Sequence, residues 1–308
     1  MLALGGAAIG ALAALNSALA TPPAAPQWSL PGEARTFEWG KGSIHYTVHG
    51  AGKPLLLLHG IGLTASSFEM RYVAEPLSRS FRVFIPDLLG FGRSDRPKIA
   101  YTSDLYLALI TDFLAQVIGD ESSIVAAGLS GHYAIEVAVA RKELVRSLVI
   151  SAPPPLGVKL QREGPTQRSA DLVLGAPILG PTVYNLMTAR NGIRAYLRER
   201  AYSNPDLVTE SMVDAMYAMA HQPNAVYAPQ AYLAGRLDTD SGPALRAIRQ
   251  PLLVVFGVDA IPSPKDIAAG FVRQNPRTQV AILERCGSLP HEEQAERFAT
   301  TVNAWLSS

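Results

Sequence analysis

The stretch Ser123-Ile124-Val125-Ala126-Ala127-Gly128-Leu129-Ser130-Gly131-His132-Tyr133-Ala134 sets a hydroxyl and an imidazole two residues apart. A hydroxyl next to a base is the pairing that nucleophilic catalysis needs. The stretch reads as an apolar strand, a turn of small residues and a helix running on through Ile135-Glu136-Val137-Ala138. A strand–turn–helix written G-x-S-x-G holds a nucleophile on a strained backbone. Two registers fit that pattern. In the first, Gly128-Leu129-Ser130 supplies G-x-S and Ser130 is the nucleophile, with His132 crowding a position where strand and helix pack tightly. In the second, Ala126 and Ser130 take the two small positions and the nucleophile position is Gly128, which has no side chain. Steric fit favours the second register, in which the turn survives and its nucleophile is missing.

Composition bounds the rest. The 308 residues are 48% hydrophobic, ample for a large core. A formal charge of +1 gives no electrostatic case for nucleic acid. Cys286 is the single cysteine, so there is no disulfide framework and no thiolate metal site. No cofactor or metal is implied.

Residues 2–20, LALGGAAIGALAALNSALA, carry no charge and are just long enough to span a bilayer. Gly6 and Gly10 form a G-x-x-x-G pair, the small-residue face through which a membrane helix meets a protein partner. Ala18-Leu19-Ala20 also resembles a signal-cleavage site, which would mean export with the segment removed. The retained membrane anchor is the preferred expectation, the exported form and a soluble helix being its rivals. Residues 21–33 read as a linker.

From residue 34 onward, strand and helix patterns alternate. Ser43 to His49, Leu55 to Leu58, Phe81 to Ile85, Leu144 to Ser151, Leu252 to Phe256 and Thr278 to Leu283 are strand-like. Helices are expected from Ser66 to Ser78, Asp104 to Val117, Pro264 to Val272 and Glu292 to Leu306. Residues 153–249 lose the strand signal and read as an inserted helical lid, with Met212, Met216 and Met219 on a core-facing stripe. The fold class is α/β, with a mainly parallel sheet of about eight strands.

The motifs LLLLHGIG, PDLLGFGRSDRP, the elbow, PLLVVFG and CGSLPHEEQAERF occur in an order that resembles the α/β-hydrolase fold superfamily. The chain is similar to its lidded branch, which includes epoxide hydrolases, haloalkane dehalogenases and carbon–carbon bond hydrolases. The resemblance implies a nucleophile at Gly128, an acid at Asp259 and a histidine at Ser288. It also implies oxyanion-binding amides at Ile61, after His59-Gly60, and at Leu129. His59 and Asp87 are expected to support loops, and His291 to cap or pack on the last helix.

With glycine and serine at two triad positions, the expected function is a catalytically degenerate, membrane-tethered binding or structural subunit. Its retained amides would hold an apolar carbonyl-bearing ligand. Two alternatives stay open. One is a non-hydrolytic cyclase, lyase or isomerase that uses the oxyanion amides. The other is a hydrolase with a rebuilt site, using Ser130 with His132 or His291.

Overall fold

The computed structural model describes Asn16 and residues 28–157, 176 and 179–307. Eight strands form one sheet: β1 Glu33–Trp39, β2 Gly42–His49, β3 Lys53–Leu58, β4 Phe81–Pro86, β5 Ser122–Ala127, β6 Val145–Ser151, β7 Leu252–Gly257 and β8 Gln279–Leu283. Their spatial order is β1-β2-β4-β3-β5-β6-β7-β8. β1 and β2 pair antiparallel, as do β2 and β4, and every later pairing is parallel. The chain crosses over β3 between β4 and β5, so the order reverses beside the C-terminal ends of β3 and β5. An open α/β sheet binds ligands in the crevice at such a reversal.

Leucines 55 to 58 show why this strand has no polar alternation. Leu56 and Leu58 pack into one core layer and Leu55 and Leu57 into the other. The first layer lies against α2 Ser103–Phe113 and α3 Ser130–Ala140. The Thr102 hydroxyl caps α2 by accepting the Leu105 amide at 3.2 Å. The second layer lies against α1 Ala74–Ser78 and the closing helix, where Phe298 and Val302 are buried.

The expected helix from Ser66 to Ser78 is broken in two. A 3₁₀ turn covers Ser67–Met70 and α1 starts afresh at Ala74. The Ser67 amide is drawn away to the Asp87 carboxylate at 2.6 Å. Pro76 has no amide to bond back into the preceding turn, so it suits only a helix start.

Between β6 and β7 the described chain is helical: α4 Leu179–Met187, α5 Arg190–Tyr196, α6 Glu210–Ala220, α7 Tyr227–Leu233 and α8 Gly242–Ala247. Met212 and Met219 are buried and Met216 is partly so, which makes the methionine stripe packing. After β7 come α9 Pro264–Gln274, the short α10 Pro290–Glu293 and α11 Ala295–Leu306.

The membrane-tethering expectation is corrected. Among the described residues no helix is long and apolar enough to cross a membrane. Gly6, Gly10 and most of the N-terminal segment lie outside the described residues, so the expected N-terminal hydrophobic helix and its partner contact do too. Asn16 is described and helical. Its amide donates to Thr182 Oγ1 at 2.9 Å and its carbonyl accepts from Asn185 at 3.1 Å. Both partners are on α4, so the polar group at this point of the segment is engaged by protein.

Two predictions come from the packing around α3. A Cβ on Gly131 would stand 2.1 Å from Ile150 Cγ2, whereas one on Gly128 would find nothing nearer than Gly60 Cα at 3.9 Å. Gly131→Ala should therefore destabilise by about 1–3 kcal/mol through overpacking. Gly128→Ala should show only the penalty of its φ of +52°, roughly 1 kcal/mol. Denaturant melts of the two variants check that ranking.

His132 is buried beside α8, and that burial pushes its imidazole down to about 4 from 6.5. Between those pH values the unfolded chain takes up a proton that the native state refuses. Stability is thus fully present above about pH 6.5 and falls as pH drops toward 4. His132→Asn should flatten part of that decline, by up to about 3 kcal/mol at the acid end. Parallel stability–pH profiles for the two proteins would refute the assignment.

Candidate active site

The strand–turn–helix is formed, with its turn at Gly128 and Leu129. β5 is buried along its length and stops at Ala127. Gly128 takes φ +52°, Leu129 returns to φ −65°, and α3 begins at Ser130. The left-handed residue of the turn is therefore Gly128. The Gly128 amide donates to the Ser151 carbonyl at 2.9 Å, which ties the turn to the end of β6.

Ser130 is fully buried and its hydroxyl donates to the His59 carbonyl at 2.6 Å. His132 faces elsewhere. Its Nε2 lies 3.1 Å from the Pro154 carbonyl, so that nitrogen carries the proton. Its Nδ1 then accepts from the Ser241 hydroxyl at 2.8 Å. Ser130 is hydrogen-bonded to neither His132 nor His291. The rebuilt pairing expected around Ser130 is not formed.

His59 is a loop brace. Its Nε2 accepts the Leu88 amide at 3.0 Å, which leaves Nδ1 to donate to the Gly60 carbonyl at 2.6 Å. Asp87 accepts the Ser67 and Arg93 amides at 2.6 and 2.9 Å. Burial works to raise the Asp87 carboxyl, but His45, His59 and those amides outweigh it and hold the group below the usual carboxylate range. The amides of Ile61 and Leu129 make no hydrogen bond to another described group. Two unengaged amides beside a strand–helix turn are suited to a developing oxyanion.

Asp259 and Ser288 do not form a catalytic series with each other. The Asp259 carboxylate accepts the Ser203 hydroxyl at 2.6 Å. The Ser288 amide donates to the Ala201 carbonyl at 2.7 Å, and its hydroxyl donates to the Arg200 carbonyl at 3.3 Å. Glu293 accepts the Ser203, Asn204 and Gly287 amides at 3.0, 2.7 and 2.6 Å. Glu292 pairs with Arg71 at 2.5 Å and accepts from the Tyr202 hydroxyl at 3.0 Å. The loops expected to carry acid and base instead clamp residues 200–204 of the helical insertion against the sheet.

A different series lies beside the elbow. Ser151 Oγ is 2.8 Å from His291 Nδ1, and His291 Nε2 is 2.8 Å from Glu69 Oε1. An ionised carboxylate only accepts, so Nε2 carries the proton, Nδ1 accepts, and the serine hydroxyl donates. Burial pushes the Glu69 carboxyl up, yet the His291 hydrogen bond and charge, His59 and the Gly60 amide together hold it below its ordinary value. Glu69 Oε2 accepts that Gly60 amide at 2.7 Å. Elbow, oxyanion loop, Glu69, His291 and Ser151 close into one ring of contacts.

His291 was expected to cap or pack on the last helix and, in one alternative, to serve as base to Ser130, not to Ser151. Ser151 and Glu69 were missed altogether. Ser151 offered one sign, a hydroxyl ending an apolar strand at the sheet's ligand-binding edge. Glu69 offered none. Glu69, His291 and Glu292 also bring three potential ligand atoms within 4.8 Å of one another. Arg71 already neutralises Glu292 there, so the donor set does not call for a metal.

Residues 55–301 match the model of the alpha/beta hydrolase family. A 2-hydroxy-6-oxo-6-(2'-aminophenyl)hexa-2,4-dienoic acid hydrolase of Metapseudomonas resinovorans is 27% identical, over 85% of this chain and 87% of its own length. A 2-hydroxymuconate semialdehyde hydrolase of Pseudomonas sp. (strain CF600) is 28% identical, over 84% and 88%. A crystal structure of a serine hydrolase involved in carbazole degradation superposes with a TM-score of 0.72 at 26% identity, covering 89% of this chain and 98% of that one. The epoxide hydrolase CorEH shares the fold, with a TM-score of 0.73 at 21% identity. These relatives carry hydrolase names along nearly their whole length, which overturns the expectation of a non-enzymatic, membrane-tethered binding or structural subunit. The chain belongs to the alpha/beta hydrolase family.

Proposed function

We propose that the protein is a hydrolase whose chemistry has moved from the elbow residue to Ser151, His291 and Glu69. The observation that carries this reading is the unbroken hydroxyl–imidazole–carboxylate series, with both spacings at 2.8 Å. Nucleophile, base and orienting acid are recognised by such geometry and not by chain position. Ser151 Oγ attacks the substrate carbonyl carbon while His291 Nδ1 takes its proton. Glu69 steadies the proton on Nε2 and the positive charge that forms. The amides of Ile61 and Leu129 receive the oxyanion. His291 then protonates the leaving group, and water attacks the acyl-serine by the reverse route, releasing the acid.

The substrate class proposed is a small, largely apolar carbonyl compound. The oxo-acid and the semialdehyde in the relatives' names are also carbonyl compounds, though each carries a carboxyl group as well. Ser151 and His291 are each 1% exposed, so substrate entry requires the covering chain to move. A closed site excludes water and strengthens its own electrostatics.

A fluorophosphonate probe should label the full-length protein, with the adduct mapped by mass spectrometry to Ser151. Ser151→Ala should abolish labelling. Glu69→Gln should lower ester turnover by roughly 10²–10⁴-fold by removing the anion that stabilises the imidazolium. Absence of labelling, or turnover that survives Ser151→Ala, would overturn the assignment.

A further inference from the structure

Arg71 carries a charge that the chemistry above leaves without a role. Its side chain is 11% exposed, and its contacts run to both flanks of the relay. One guanidinium nitrogen donates to the Phe68 carbonyl, just ahead of Glu69, at 2.9 Å. Another stands 2.5 Å from Glu292 Oε2, just past His291. The guanidinium carbon lies 4.0 and 4.2 Å from the ring centres of Phe68 and Tyr72. Burial works to lower the guanidinium, but Glu292, Tyr72 and Tyr202 outweigh it and hold the group above its usual range.

Glu292 shows why such a group is needed. Its side chain is fully buried. Oε2 meets Arg71 and accepts the Tyr202 hydroxyl at 3.0 Å, while Oε1 has no hydrogen-bond partner. A carboxylate oxygen each from Glu69 and Glu292 and a nitrogen of His291 lie within 4.8 Å of one another. The imidazole therefore has two carboxylates in its neighbourhood and bonds to one, Glu69, at 2.8 Å. A charge-assisted hydrogen bond to either would be strong, and a poorly solvated setting strengthens both alike. An imidazole turned toward Glu292 would carry Nδ1 away from Ser151. The two acceptors differ in what already holds them. Glu292 is met by a cation and a hydroxyl, whereas Glu69 accepts the Gly60 amide besides the imidazole.

We propose that Arg71 is a positioning residue that occupies Glu292, so that Glu69 alone orients His291 toward Ser151. This rests on the hydrolase reading and adds a residue to it.

The Nε2 proton of His291 is followed in the full chain by proton NMR, as a downfield resonance that His291→Gln removes. Hydrolysis of 4-nitrophenyl butyrate is measured alongside. In Arg71→Gln the resonance should shift, and kcat should fall roughly 10²-fold with KM little changed. Arg71→Gln combined with Glu292→Gln, which silences the competing carboxylate, should return the resonance and recover most of kcat. A merely structural Arg71, acting through Phe68 and the stacked rings, would leave the double variant as slow as the single one. That result overturns the proposal, as does an unshifted resonance in Arg71→Gln or its absence from wild type. If Arg71→Gln does not fold, Arg71→Lys takes its place, keeping the charge while losing the guanidinium fork. Its resonance should stay at the wild-type position, and a shift there overturns the proposal. If no form cleaves the ester while the resonance moves and returns as described, the positioning role stands and the hydrolase reading falls.

Discussion

Glu69 is the group on which the arrangement depends. One carboxylate oxygen fixes the Gly60 amide and so sets the oxyanion loop, and the other fixes the His291 imidazole and so sets the start of the last helical segment. These two elements lie 222 residues apart in the chain along the Glu69–His291 bond. A buried carboxylate is tolerated only when hydrogen-bonded and charge-balanced. Glu69 meets that condition through the same contacts that make it useful, so the site and the local fold are stabilised together.

The elbow follows a similar logic with the opposite outcome. A left-handed backbone at the end of β5 is strained for most side chains, and in this fold the nucleophile normally bears that strain. Glycine at residue 128 relieves it. The turn still lies against the oxyanion loop, a Cβ on Gly128 falling 3.9 Å from Gly60 Cα. A serine hydroxyl does lie one strand away, at Ser151 on β6, whose carbonyl is tied to the elbow by the Gly128 amide.

The sheet was legible in sequence because buried parallel strands leave continuous apolar runs. The strand–turn–helix was legible because an apolar run meets a cluster of small residues, Gly131 among them, where Ile150 leaves no room. The relay was not, since Ser151, His291 and Glu69 meet only through the topology and none sits in a spaced motif. The membrane anchor expected of the N-terminal segment is likewise unsupported, for hydropathy alone does not say that Asn16 bonds to Thr182 and Asn185.

The clamp on residues 200–204 has a consequence for how the molecule breathes. A single carboxylate, Glu293, holds three amides drawn from the insertion and from the loop ahead of α10. When that carboxylate lets go, Ser203, Asn204 and Gly287 lose protection in one event. Local opening free energies usually differ from one surface amide to the next, but amides that share an acceptor open as a unit. In hydrogen exchange, the hinge of the insertion and the loop before the last helices would therefore register as one cooperative patch, though more than 80 residues of chain separate Ser203 from Gly287.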